Sequence, residues 1–195
     1  MRLVFLGPPG SGKGTQAQLL AQRLGLQHIS TGDMFRQAIQ ERSPVGRRVE
    51  RLVNNGELVP DALVGEVVRA HLGGLPACCG FVLDGFPRTV AQAEILEQIL
   101  ARQGWCLHAA VTLQVPEEVI VARLSGRRVC PECAALYQAD QVGDEATCAR
   151  CGGALAIRED DRPEAVRRRL ELYWKTARAV EEFYAARGLL RTVNA

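Results

Sequence analysis

The residues best suited to chemistry lie in a glycine-rich stretch near the N-terminus, Gly7 to Thr15, which reads GPPGSGKGT. An apolar run, Leu3 to Leu6, precedes it, and a helical pattern, Gln16 to Leu24, follows it. Glycines allow backbone angles closed to other residues, so successive N–H groups can point at one anion. The N-terminus of the following helix and the charge of Lys13 favour the same anion. We therefore predict a nucleotide phosphate-binding loop; the alternative is a simple glycine-rich turn.

One position departs from the general phosphate-loop pattern, which has Ser or Thr directly after the lysine to hold Mg²⁺. Gly14 fills that position, and the hydroxyl arrives one residue later, at Thr15. We therefore expect Mg²⁺ to be held mostly by the nucleotide and by water, as it often is in phosphate sites.

A second group of reactive residues is formed by two C-x-x-C pairs, Cys130/Cys133 and Cys148/Cys151. Four thiolates in paired turns of this kind can close a tetrahedron around Zn²⁺. Such a site is structural, because no position remains for a catalytic water, and it would stabilise a segment with little apolar surface. Two local disulfides or free thiols are the alternatives. The remaining cysteines are expected to be buried apolar residues: Cys78, Cys79 and Cys106.

A third candidate is the segment Asp84 to Arg88, DGFPR, at the end of an apolar run. A carboxylate at a strand end can coordinate Mg²⁺ or bind its waters, and Arg88 can bind a phosphate. The alternative is a helix cap followed by a surface arginine.

Composition limits the class of protein. The chain has 195 residues, 47% hydrophobic and 24% charged, with a net charge of +2. This balance argues against a nucleic-acid coat or a membrane-surface protein, and no apolar run approaches the ~20 residues of a membrane span. The N-terminus is predicted to be a strand and not a signal peptide. Seven cysteines, an odd number, are typical of a reducing compartment, so we expect a cytoplasmic protein.

Strand and helix patterns alternate along the chain and must position these residues. Alternation of this kind predicts an α/β fold with a parallel sheet and helices on both faces, in which ligands bind at the carboxyl ends of the strands. The predicted strands are 3–6, 27–30, 80–84, 108–115 and 189–193. The predicted helices are 12–24, 31–42, 44–54, 61–72, 89–102, 116–124 and 161–187, with an insertion at 126–160.

Six motifs spread along the chain together resemble adenylate kinase in its long form with a zinc-binding lid, a member of the nucleoside monophosphate kinases. They are GPPGSGKGTQ at 7–16, STGDMFR at 30–36, DGFPRT at 84–89, GRR at 126–128, CPEC…CARCGG at 130–153 and REDDRPEAVRRRL at 158–170. The resemblance implies reversible transfer of the terminal phosphoryl group from Mg-ATP to AMP, giving two ADP.

The resemblance also implies a P-loop NTPase-like three-layer fold with a five-stranded parallel sheet, built in three parts. The core would comprise residues 1–29, 60–125 and 162–195. A helical monophosphate-binding insertion would span residues 30–59, and a zinc-stapled lid residues 126–161. The implied ligands are ATP, AMP and ADP with Mg²⁺ and a structural Zn²⁺, and a monomer is expected.

Site residues are carried over from the resemblance position by position. Those implied to bind ATP are Gly10, Ser11, Gly12, Lys13, Gly14, Thr15, Arg123, Arg127, Leu136 and Tyr137. Those implied to bind AMP are Thr31, Arg36, Glu57, Leu58, Val59, Gly85, Phe86, Pro87, Arg88, Gln92, Arg158 and Arg169. Those implied to act in catalysis are Lys13, Arg36, Asp84, Arg88, Arg127, Arg158 and Arg169. The implied zinc ligands are Cys130, Cys133, Cys148 and Cys151.

Three interpretations stay open at this stage. Thr89-x-x-Gln92 is a capping box, so Gln92 is either structural or a reader of the adenine. Asp160 and Asp161 either cap the last long helix or bind in the hinge, and capping is expected for Asp161. For the whole protein, the alternatives are a UMP/CMP or GTP:AMP type kinase, or a zinc-ribbon nucleic-acid-binding module on a nucleotide-binding core. The near-neutral charge argues against the last.

Overall fold

A computed structural model describes residues 1–142 and 147–195 of the chain. Its seven strands are β1 (Arg2–Leu6), β2 (Gln27–Ser30), β3 (Phe81–Asp84), β4 (Ala109–Gln114), β5 (Arg127–Val129), β6 (Leu136–Gln138) and β7 (Leu190–Asn194). Five of these form one parallel sheet in the order β2-β3-β1-β4-β7, with β1 at its centre. The predicted five-stranded parallel sheet is therefore confirmed.

In the described part of the chain, seven α-helices connect the strands or follow them. They are α1 (Lys13–Leu24), α2 (Thr31–Gln40), α3 (Pro44–Asn54), α4 (Asp61–Gly73), α5 (Val90–Arg102), α6 (Glu117–Ser125) and α7 (Pro163–Ala185). Three of these helices begin at a capping Ser or Thr. The side-chain hydroxyl of this residue accepts a hydrogen bond from the backbone N–H three positions later. Ser30 accepts from the Asp33 N–H, and Ser43 accepts from the Gly46 N–H. Thr89 accepts from the Gln92 N–H.

Apolar side chains of β1 alternate between the two faces of the sheet. Val4 and Leu6 belong to the larger core, with side chains from α4, α5 and α7. Leu3 and Phe5 belong to a separate core that contains Ala17 and Ala21 of α1. A strand buried on both faces is typical of a parallel sheet covered by two helical layers. The three-layer α/β fold is therefore confirmed.

The cysteine-rich segment, residues 126–161, contains a small antiparallel pair of strands, β5 and β6. A further bridge joins Val129 to Ala156, so the segment returns towards its own start. The prediction that Asp161 caps the last helix was wrong. Arg162 occupies the N-cap of α7, and Asp161 ends a short 3₁₀ turn, Glu159–Asp161.

The expectation for the isolated cysteines was also wrong. Cys78 and Cys106 are exposed, and Cys79 is half-buried. All three lie in connections next to strands, where a single small thiol is tolerated at the surface. Among the described residues, no helix combines the length and the apolar character needed to span a membrane.

Candidate functional site

A cleft of about 610 Å³ opens at the carboxyl ends of β1, β2 and β3. This is where open parallel sheets bind their ligands, because the loops that leave neighbouring strands diverge there. Each residue implied to bind ATP lines the cleft: Gly10, Ser11, Gly12, Lys13, Gly14, Thr15, Arg123, Arg127, Leu136 and Tyr137. So do most of those implied to bind AMP: Thr31, Arg36, Glu57, Leu58, Val59, Gly85, Arg88, Gln92, Arg158 and Arg169.

Two residues of the implied AMP set lie elsewhere. Phe86 is fully buried in the larger core, and Pro87 lines a smaller neighbouring cavity behind the loop after β1. Asp84 does line the main cleft, as expected for a residue at a strand end. The side chains of Phe86 and Pro87 therefore shape the wall behind the cleft.

The glycine-rich loop has the backbone that an anion cradle requires. Gly10 and Gly12 have φ angles of 82° and 87°, in the left-handed region that other residues avoid. Helix α1 begins directly after Gly12, so its free N–H groups point into the cleft. Ser11 Oγ is buried and has no hydrogen-bond partner among the described residues. A buried unpaired hydroxyl is costly, and a phosphate oxygen would satisfy it.

Gly14, the departure from the general pattern, faces Asp84. A Cβ at position 14 would lie 3.1 Å from Asp84 Oδ2, a tight contact. The absence of a side chain therefore leaves the Asp84 carboxylate room at the mouth of the loop. This arrangement fits Mg²⁺ held through waters, which would donate hydrogen bonds to the Asp84 carboxylate.

Lys13 lies in a strongly electropositive setting. Its Nζ donates to the carbonyl of Pro8 at 2.7 Å. Burial lowers the pKa of Lys13 to about 8, and the positive charges of Arg88 and Arg169 add to that effect, while Asp84 opposes it. A negatively charged phosphate would remove much of this cost by supplying the missing counter-charge.

Five arginines from separate parts of the chain converge on the same cleft. Arg36 comes from α2, Arg88 from the loop after β3, Arg127 from β5, Arg158 from the end of the cysteine-rich segment and Arg169 from α7. Like charges packed together repel, so their convergence needs carboxylate partners or an anionic ligand.

Three aspartates supply part of that compensation, and one of them, Asp161, pairs with Arg127 and Arg169. Asp33 lies 2.6 Å from Arg36 Nη2. Asp160 Oδ2 lies 3.1 Å from Arg169 Nη1 and 3.5 Å from Arg36 Nη1. Burial alone would raise the pKa of Asp160, but the guanidiniums of Arg169 and Arg36 outweigh it and hold that pKa below its ordinary value.

Two arginines are left with weaker compensation. Arg88 donates from Nε to the Gly85 carbonyl at 2.8 Å, and no carboxylate is in ion-pair contact with it among the described residues. The Arg88 side chain lines the cleft. Desolvation of its guanidinium, and then the positive charge of Arg169, lower the pKa of Arg88 to about 10. Desolvation and then Arg36 likewise lower the pKa of Arg158 to about 10. The cleft is therefore short of negative charge, which a chain of phosphates would supply.

Gln92 takes part in the start of α5 through its backbone, and its side chain bonds residues of two other elements. Its backbone N–H is capped by Thr89 at 3.1 Å, so the capping interpretation is confirmed for the backbone. Its side chain is 1% exposed but lines the cleft. Oε1 accepts from the Arg88 N–H at 2.8 Å, and Nε2 donates to Asp61 Oδ1 at 2.8 Å.

The four paired cysteines form one cluster, in which the Sγ atoms all lie within 4.8 Å of one another. The Sγ atoms of Cys130 and Cys151 lie 3.4 Å apart, and those of Cys133 and Cys148 lie at the same distance. A tetrahedron with Zn–S bonds of about 2.3 Å places its sulfurs roughly 3.8 Å apart, so the cluster fits Zn²⁺. All four cysteines are free thiols, which argues against the disulfide alternative.

Sequence reasoning considered Asp160 for the hinge but did not predict the contacts that orient the site. Asp33 and Asp160 pair with arginines, and Asp61 holds the Gln92 amide. Gln138 joins the cysteine-rich segment to α6, because its Nε2 donates to the Arg123 carbonyl at 3.3 Å. The spacing of Asp33 and Arg36, three residues apart on one helix, was the one available signal for such a pair.

Comparison with known proteins gives the same family name for the family model and for the relatives. The family model described as "Adenylate kinase" matches residues 5–189. Proteins named "Adenylate kinase" from Thermosipho melanesiensis and Acidothermus cellulolyticus are each 46% identical to this chain. Those alignments cover 100% of the chain and 92% and 91% of the relatives, respectively. A protein of the same name from Thermotoga petrophila is 45% identical over 98% of the chain and 89% of its own length.

Proposed function

This chain belongs to the adenylate kinase family, and we propose from that premise how its residues divide the work of moving a phosphoryl group. The chain is an ATP:AMP phosphotransferase. It transfers the terminal phosphoryl group of Mg-ATP to AMP, giving two ADP, and the reaction is reversible. The zinc-ribbon alternative is not favoured, because the family match extends over most of the chain.

The glycine-rich loop and Lys13 hold the ATP phosphates in this proposal. Backbone N–H groups at the start of α1 face the anion, and Lys13 follows the charge as it moves between donor and acceptor. Arg123, Leu136 and Tyr137 also line the cleft and would contact the ATP base and ribose. Asp84 would address Mg²⁺ through its waters. Mg²⁺ supplies charge neutralisation at the phosphates when bound.

The arginine cluster performs the electrostatic part of the reaction. Arg36 and Arg88 would bind the AMP phosphate, while Arg127, Arg158 and Arg169 surround the group in transit. Phosphoryl transfer needs positioned cations more than acid–base groups, because charge spreads over the equatorial oxygens in the transition state. Asp33, Asp160 and Asp161 pair with Arg36, Arg169 and Arg127 before nucleotides bind.

Two segments are proposed to move relative to the core. Residues 30–59 would close over AMP, and residues 126–161 would close over ATP as a lid. Closure excludes water, which would otherwise accept the phosphoryl group and hydrolyse ATP. The zinc site would give the lid its shape, since a four-cysteine site contributes folding energy and leaves no position for catalytic water.

We further propose that the protein works as a monomer in the cytoplasm. None of its seven cysteines forms a disulfide, a state that a reducing compartment maintains. Equilibrium sedimentation of the purified protein would test the monomer; a stable dimer at micromolar concentration would contradict it.

One observation carries the proposal: guanidiniums from five separate segments meet at the mouth of a phosphate-binding loop. The test is an acceptor comparison. ADP formation is measured with Mg-ATP and AMP, GMP, CMP or UMP, together with ATP alone. We expect AMP to be the preferred acceptor and ATP alone to give no ADP. Preference for UMP or CMP would instead support the related pyrimidine kinases.

A further inference from the structure

Asp61, at the first position of α4, connects the starts of two helices. Its Oδ2 accepts from Thr89 Oγ1 at 2.9 Å, at the N-cap of α5. Its Oδ1 accepts from Gln92 Nε2 at 2.8 Å. Both carboxylate oxygens are therefore used. A carboxylate in the first turn of a helix is also favoured by the helix dipole.

The amide of Gln92 is fixed at both ends by these contacts. Oε1 accepts from the Arg88 backbone N–H, and one hydrogen of Nε2 goes to Asp61. A glutamine amide offers two donors and two acceptor lone pairs. One N–H and one lone pair of Gln92 thus remain for a group in the cleft that this side chain lines, and the two partners fix which end of the amide is the donor.

That order distinguishes purines. Adenine presents an acceptor at N1 beside a donor amino group at C6, which matches a free N–H and a free lone pair. Hypoxanthine and guanine present the reverse, a donor at N1 beside an acceptor oxygen at C6. Rotating the amide by 180° would exchange its donor and acceptor ends, so that it would bind a 6-oxopurine instead of adenine. The rotation would, however, set Oε1 against the Asp61 carboxylate and Nε2 against the Arg88 N–H. Both contacts would be repulsive.

We propose that Asp61 is a positioning residue for acceptor specificity: it holds the Gln92 amide in the orientation that reads adenine and rejects 6-oxopurines. The inference rests on the proposed placement of AMP beside Gln92. Asp61 is suited to this role because an ionised carboxylate only accepts hydrogen bonds, so it cannot tolerate the rotated amide. An asparagine of the same shape presents an N–H as readily as an oxygen.

The experiment compares AMP and inosine monophosphate as acceptors for the wild-type protein and Asp61→Asn. The quantities are kcat/KM for each acceptor and KM for ATP. We expect the preference for AMP over inosine monophosphate to fall about five- to tenfold, the worth of one net hydrogen bond, and KM for ATP to stay within twofold. Asp61→Ser, which also removes the carboxylate, is read in the same way if Asp61→Asn fails to fold.

The matched control is Thr89→Ala. This variant removes the second partner of Asp61 and the cap of α5, but it leaves the contact between Asp61 and Gln92. It should melt at a lower temperature while keeping the wild-type preference. The inference is overturned if Asp61→Asn keeps the wild-type preference, or if Thr89→Ala loses as much. A wild-type protein that makes no ADP from AMP would instead contradict the proposed function.

Discussion

Arg127 and Asp161 lie at opposite ends of the cysteine-rich segment and are joined by a two-pronged ion pair. Arg127 Nε lies 2.6 Å from Asp161 Oδ2, and Arg127 Nη2 donates to Asp161 Oδ1. The Asp161 side chain is fully buried, and Arg169 Nη1 also lies 3.1 Å from its Oδ1. One carboxylate thus closes the base of the segment and aims two guanidiniums into the cleft.

The first prediction concerns this carboxylate. Asp161→Asn leaves Arg127 and Arg169 in a confined space without their charge partner, and removing one side of a buried ion pair costs about 3 kcal/mol or more. We expect the free energy of unfolding, measured by urea titration, to fall by that amount. Turnover should fall with it, since both guanidiniums lose their orientation.

Glu159→Gln is the matched control for that prediction. It breaks a neighbouring pair with Arg162 in which both side chains are more than half exposed, and such pairs contribute between 0 and about 1 kcal/mol. An equal loss of stability in both variants would contradict the assignment of Asp161.

The second prediction concerns Lys13. Lys13→Ala should lower kcat/KM by roughly 10²–10³-fold, because it removes a positioned cation from the transferring phosphates. Lys175→Ala is the control: it changes the one other lysine of the sequence, an exposed residue of α7. Steady-state kinetics with ATP and AMP measure both variants. Turnover that survives Lys13→Ala would remove Lys13 from the mechanism.

The third prediction is a pH effect at the same residue. The pKa of Lys13 is lowered to about 8 in the nucleotide-free protein, and bound phosphates restore the charged form. ATP binding should therefore take up about 0.8 proton at pH 8.5 and about 0.1 proton at pH 7. Because ATP binding takes up a proton, the affinity for ATP should weaken as the pH rises above 8. For folding, a lowered lysine pKa means that stability rises with pH between about 8 and 10.5.

Calorimetric titration in buffers of different ionisation enthalpy measures this uptake. Lys13→Arg serves as the control, because arginine stays charged throughout the range, and the difference between the two proteins isolates Lys13. Equal uptake by both proteins at pH 8.5 would show that another group is responsible.

The fourth prediction concerns the four-cysteine cluster. Cys130→Ala should release zinc, measured by metal analysis, and lower the melting temperature more than it lowers the turnover of the folded protein, because the site is structural. Cys106→Ser, an exposed cysteine outside the cluster, should change neither. A collapse of turnover with unchanged melting would assign the zinc a direct part in the reaction.

The fold was predictable because its signals are local. Leu3 to Leu6 reads as an apolar strand, and the glycines after it demand a special turn, so the loop could be placed without knowledge of the partners. Paired cysteines at short spacing identify a metal site for the same reason. The resemblance of six motifs then brought distant arginines into one site.

The orienting shell was not predictable, because it depends on contacts between residues far apart in the sequence. Asp161 lies 34 positions from Arg127, and next to the start of a helix it resembles a cap. Asp61 lies 31 positions from Gln92 and looks like any acidic residue in a first turn. The exposure of Cys78 and Cys106 depends likewise on the path of the connections in which they lie. The few apolar residues next to them in the sequence do not determine that path.

The most direct test of phosphoryl transfer between nucleotides is to trace the label of ATP carrying ³²P in its terminal phosphate. With AMP present, the account predicts label in the β-position of newly formed ADP and no labelled inorganic phosphate above background. With AMP omitted, the label should remain in ATP. Release of labelled inorganic phosphate at the same rate with and without AMP would show that water is the acceptor, and it would contradict the proposal that the arginine cluster delivers the group to a second nucleotide.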